Sequence, residues 1–237
     1  MKKIMTTFCL ILVVTFTIQA QFQIGPKVGM NLANCAFNLD DSDFEPETKI
    51  RLAYAVGIVL DYGFNDAFSL QSGLMFTSKG YGYDLDEISD DDVTYDGYDR
   101  TMLNYFELPV SAVYKFKGFQ IGAGPYIAYG ISGKEKWDYT YDYYGTEEGD
   151  SGETKLKPKM GEVEDGDLDE DEEAFYAMDW GFNFGIGYQT GGLLVNAGYS
   201  LGLGNIMAKY SGFEREDYKF SNRVITVSVT YLFNLGD

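Results

Sequence analysis

The sequence predicts an all-β fold, an eight-stranded antiparallel up-and-down transmembrane β-barrel with short periplasmic turns and long acidic extracellular loops. Three observations predict it. Eight runs alternate bulky apolar residues with small or polar ones at a period of two, the spacing of a strand and not of a helix. Their polar faces carry mostly Gly, Ala, Ser and Gln, which suits a narrow barrel interior with the apolar face turned to lipid. The connections alternate strictly between short and long, so all the short ones gather at one rim.

The chain opens with Lys2 and Lys3, an apolar run from Ile4 to Ile18, and then Gln19 and Ala20. That is the layout of a signal peptide over residues 1–20, leaving 21–237 as one outer-membrane barrel domain. The first strand, Phe22 to Leu32, sets Phe22, Ile24, Val28 and Met30 against Gln23, Gly25, Lys27, Gly29 and Asn31. The second and third form a long hairpin from Arg51 to Lys79 about the turn Gly63 to Ala67. Its apolar face carries Leu52, Tyr54, Val56, Ile58 and Leu60, then Phe68, Leu70, Leu74 and Phe76. The fourth strand, Thr101 to Lys115, turns Glu107 inward and contains Pro109, which marks a bulge or a missing ladder bond. The fifth runs from Phe119 to Ser132, the sixth from Phe175 to Gln189, the seventh from Leu193 to Gly204 and the eighth from Arg223 to Phe233. Each approaches or exceeds the ~9 to 11 residues of a tilted membrane strand. The long loops are then 33–49, 80–100, 133–174 and 205–219, and a signal sequence places them outside the cell.

Composition agrees and excludes other classes. Tyr (20), Phe (17) and Gly (28) are abundant and Pro (5) is rare. The formal charge of -19 argues against nucleic acid, which requires a basic surface. Most of the 37 acidic residues fall in the long loops, so the charge belongs to the exposed crown. Cys9 leaves with the signal and Cys35 stays alone, so no internal disulfide forms. The chain has no histidine, which removes the usual base of a Ser-His or His-Asp site and argues against an enzyme. No catalytic, cofactor or metal site is expected. Read as an EF-hand from Asp165, the acidic run 162–173 has Glu170 where Gly is required and Tyr176 where Glu is required. That run is expected to be solvated and disordered, and the loop carrying it dispensable for folding. Lys155, Lys157 and Lys159 are expected to neutralise acidic neighbours.

Two groups of residues stand out as candidate sites. Lys27 and Glu107 both face inward near the middle of their strands, and a lone charge there costs several kcal/mol, so the two are expected to pair in a structural polar network. Arg51 is a further member, with Lys79 and Asp179 as rival partners nearer the outer rim. Trp137, Tyr139, Tyr141 and Tyr143 alternate with polar residues and extend the fifth strand as an aromatic ribbon. Such a ribbon recognises an extracellular protein or stacks on a glycan, or else it simply marks the upper membrane interface or packs within the loops.

Gly25 to Asn31, Phe68 to Gly80 and Tyr105 to Val110 carry a resemblance to the PorT-like outer-membrane β-barrels of Bacteroidetes-type bacteria. The resemblance implies a barrel seated in outer-membrane lipid and delivered by the outer-membrane insertion machinery, without assigning chemistry to any residue. The function read from the whole is a non-enzymatic surface or envelope role through acidic and aromatic loops. The alternative is a narrow transport channel or a component of a secretion assembly.

Overall fold

The computed structural model describes residues 21–39, 48–84, 88–90, 93–143, 146–212 and 218–235. The expected signal segment, and residues 40–47, 85–87, 91–92, 144–145 and 213–217 of the expected loops, lie outside the described residues. Among the described residues fourteen strands follow in order: β1 Gln21–Leu39, β2 Arg51–Gly63, β3 Phe68–Asp84, β4 Ile88–Asp90, β5 Val93–Phe116, β6 Phe119–Tyr143 and β7 Thr146–Lys159. After these come β8 Glu162–Val163, β9 Glu172–Tyr176, β10 Met178–Thr190, β11 Leu193–Gly202, β12 Lys209–Tyr210, β13 Tyr218–Tyr231 and β14 Phe233–Asn234.

Eight of them close a ring. Antiparallel pairing runs from β1 through β2, β3, β5, β6, β10, β11 and β13 and back to β1. Closure removes every sheet edge from the membrane, where an unpaired backbone group would find no water. The outward residues, among them Leu52, Ile58, Phe119, Ile121 and Ile186, are exposed apolar side chains, as a lipid-facing wall requires. The inward residues are small, polar or buried.

On the side of the long connections the strands run further than the membrane needs. β1 continues to Leu39, β5 starts at Val93 and β6 reaches Tyr143. β7 folds back on β6, pairing Tyr143 with Thr146 and Gly133 with Leu156, and β9 lies parallel to β7. Residues 133–143 and 146–159 are strand, continuing the expected ribbon, and the acidic run 162–173, expected to be disordered, is a set of turns between the short strands β8 and β9 that stays largely exposed. The segment is held by burial at a few points: Leu156, Val163 and the adjoining Phe175 are each at most 6% exposed.

Two irregularities shape the wall. Around Pro109 the ladder lapses on both sides, with β3 pairing skipping from Ser72–Val110 to Met75–Glu107 and β6 pairing from Pro109–Tyr126 to Ala112–Ala123. Pro109 and Pro125 offer no N–H there. Higher up, Asn104 faces Ser132 while Tyr105 faces Gly130, leaving Ile131 as an extra residue in β6. This bulge shifts the alternation by one position. Below it Tyr126, Ala128 and Gly130 face in; above it Gly133, Glu135 and Trp137 do, and Ser132, Lys134 and Lys136 face out. An unbroken alternation from Phe119 would turn Ser132 to the lumen; the bulge turns it out. The outer surface turns from apolar to charged at this level, which marks the upper edge of the membrane.

Candidate functional site in the lumen and crown

The inward phase of three strands brings Lys79 (β3), Glu107 (β5) and Asp179 (β10) together inside the barrel. Lys79 Nζ lies 2.7 Å from Glu107 Oε2 and 2.9 Å from Asp179 Oδ2, and all three side chains are nearly or wholly buried. Asp179 also accepts hydrogen bonds from Asn222 Nδ2 at 3.0 Å and from the Tyr126 hydroxyl at 3.2 Å. Asn183 Nδ2 donates to Glu107 Oε1 at 3.3 Å. The Tyr126 ring centre is 4.2 Å from Lys79 Nζ, a cation–π contact. Charges this far from water persist only when each is paired and its remaining hydrogen-bonding sites are filled.

An apolar cluster packs above these charges: Leu103, Tyr105, Leu156, Phe175 and Ile206 lie together with Cys35. Toward the short turns a second pair, Lys115 Nζ to Asp61 Oδ1 at 2.7 Å, is joined by Ser69 and Gln71.

The expected Lys27–Glu107 pair is corrected. Glu107 bonds to Lys79, and Lys27 has no ion pair or hydrogen bond among the described residues, although it feels the charge of Glu107 from a distance. Arg51 does not join the carboxylates either. Its guanidinium donates to Ser78 Oγ at 2.7 Å and to the Lys79 carbonyl at 2.8 Å, bracing β2 against β3. Lys79 serves better because β3 carries it across the lumen to both acids at once.

In the crown, the bulge turns the aromatic ribbon inward. Trp137 and Tyr139 wall a cavity of about 450 Å³ with Tyr83, Tyr98, Asp99 and Glu135. The Trp137 ring covers Gly152 of β7 so closely that a Cβ there would meet it at 2.2 Å. The Tyr139 hydroxyl donates to Asp150 at 3.2 Å and that of Tyr141 to Glu148 at 2.6 Å. Tyr143 ends β6, and its side chain lies outside the described residues. Glu135 and Asp99 share a hydrogen bond, and burial together with the Asp99 charge pushes the Glu135 carboxyl up to about 8. On the outer face Lys134 and Lys136 both grip Glu153, whose carboxyl their hydrogen bonds pull down to about 2. Lys155, Lys157 and Lys159 pair with Asp171, Glu172 and Asp167, the neutralising role expected of them.

A family model described as outer membrane protein beta-barrel domain matches residues 19–208. The chain belongs to this family. Its home is the outer membrane. Among solved structures, the attachment invasion locus protein Ail of Yersinia pestis is 10% identical with a TM-score of 0.38, covering 89% of this chain and 98% of its own. Neisserial surface protein A is 13% identical with a TM-score of 0.36, covering 91% and 99%. OprG of Pseudomonas aeruginosa is 11% identical with a TM-score of 0.34, covering 90% and 96%. The comparison with curated proteins found no match.

In this outer-membrane barrel, the residue that sequence reasoning undervalued is Lys79. Its inward phase was legible, since Ser69, Gln71, Gly73 and Thr77 precede it on the same face. Its reach was not. The register β3–β5–β6–β10, with Met75 opposite Glu107 and Ala128 opposite both Glu107 and Asp179, decides which charges meet.

Proposed function

We propose that this protein is a non-enzymatic, closed barrel that displays its crown outside the cell for recognition of an extracellular protein or glycan. The observation that carries this reading is the division of the molecule. The lumen is sealed by Lys79, Glu107 and Asp179 under an apolar cluster, while aromatic and acidic side chains fill the crown beyond the membrane. An amino-terminal signal over residues 1–20 and delivery by the outer-membrane insertion machinery complete the reading, as does the finer PorT-like assignment, for which the three segments named above are the support. The direct test is capture of surface partners on intact cells by the full barrel and by a variant in which Thr140 to Gly149 is replaced with a two-residue turn. Partners retained equally by both would remove recognition from Tyr141, Tyr143 and the rest of the replaced segment. The transport or secretion reading is favoured only by a small cavity beneath the sealed charges, and ion conductance of the native barrel in planar bilayers would establish it.

A further inference from the structure

Below the sealed charges the lumen holds a cavity of about 120 Å³. One wall is bare backbone: Gly122, Gly185 and Gly198 face it from three neighbouring strands, in register with one another. Lys27 lines it too, enclosed by the barrel and bonded to nothing among the described residues. Asn183 is the complementary oddity. Its Nδ2 donates to Glu107, which fixes the amide's orientation and leaves a solvent-sealed Oδ1 with no donor. Charge follows the same division. Lys79 brings one ammonium to the two carboxylates Glu107 and Asp179, while the Lys27 amine stands elsewhere on the wall with no carboxylate in contact among the described residues.

We propose that this cavity binds a small zwitterion, an α-amino acid with no side chain or a methyl group. The carboxylate would lie on Lys27, with the hydroxyls of Ser111 and Ser200 within the same lining, and the ammonium on Asn183 Oδ1 beside Glu107. Such a guest leaves the lumen's charge balance unchanged, which a simple anion or cation does not. Size sets the limit: the cavity is well below the ~300 Å³ or more that drug-sized ligands need. The site stands whether or not the crown recognises a partner.

The test is calorimetric titration of the purified barrel, folded in detergent micelles, with glycine, acetate and methylammonium. Glycine binds saturably, and the two single-ended probes bind at least about tenfold more weakly, as expected when one charge-assisted contact is lost. Lys27→Met weakens glycine by about tenfold or more while keeping the heat-shifted gel mobility of a folded barrel, since Lys27 holds no bond in the wall. Acetate binding as tightly as glycine would make this a one-ended anion site and overturn the proposal. So would glycine binding unchanged in Lys27→Met, or no binding by any probe, which would leave the cavity to water. If Lys27→Met fails to fold, the three-probe comparison on the unaltered barrel decides alone.

Discussion

A single ammonium, that of Lys79, faces two buried carboxylates, so its removal is the costliest change available in the lumen. Lys79→Met leaves Glu107 and Asp179 unpaired and is expected to destabilise the barrel by about 3 to 5 kcal/mol in urea titrations. Glu107→Gln keeps the bond between Lys79 and Asp179 and should cost about 2 kcal/mol. The double substitution should fall short of the sum by about 1 kcal/mol or more, because the two residues share one network. In the crown, Glu135 binds its proton up to about pH 8 in the folded state, against 4.5 ordinarily. Between those values the folded chain holds a proton that the unfolded chain has released, so crown stability falls as pH rises from 4.5 to 8. Trp137 lines the same cavity, and its fluorescence in a Trp180→Phe background should report the loosening. Glu135→Gln should remove the share carried by Glu135 and leave that of Asp99, whose carboxyl burial also raises. That Lys27, Glu107 and Asp179 face inward was legible in the sequence. Which of them touch was not, because strand-to-strand register leaves no trace in the alternation of one strand.

Among the elements, β7 shows where sequence reading stops. Thr146 to Lys159 has one apolar residue at a strand-like position, Leu156, and otherwise reads as polar loop. It becomes a strand because β6 offers it an edge, a condition set by tertiary structure and not by its own period. The eight membrane strands, by contrast, were all visible, since lipid on one side and a narrow lumen on the other force a clean alternation. Two deletions separate the parts of this region. Replacing Thr140 to Gly149 with a turn keeps Leu156, Val163 and Phe175 and should leave the unfolding midpoint and gel mobility within error. Removing 146–173 takes away Leu156, Val163 and the strand beside Phe175, and should lose the heat-resistant folded band. Phe175→Ala alone is expected to cost about 3 to 5 kcal/mol in denaturant titrations.

The whole molecule divides into a membrane cylinder with a stopper and an acidic crown. Native barrels should be electrically silent in planar bilayers, and Lys79→Ala combined with Phe175→Ala should give discrete openings. Openings in the unaltered protein would contradict the seal. The crown and the cylinder meet at Ile131, the one unpaired residue in β6 at that level. Above it the sequence is written one position out of step with the sequence below, and the bulge absorbs the slip. Ile131 thus acts as a parity bit. Deleting it should close the ladder and keep every later side chain on its present side. Inserting one residue just after Gly133 should instead turn β6 inside out from there upward, presenting Trp137 and Tyr139 to the outside medium and folding Lys134 and Lys136 into the cavity. A lineage that gains a residue just above this point can therefore exchange what its surface shows for what it hides, with the membrane part untouched.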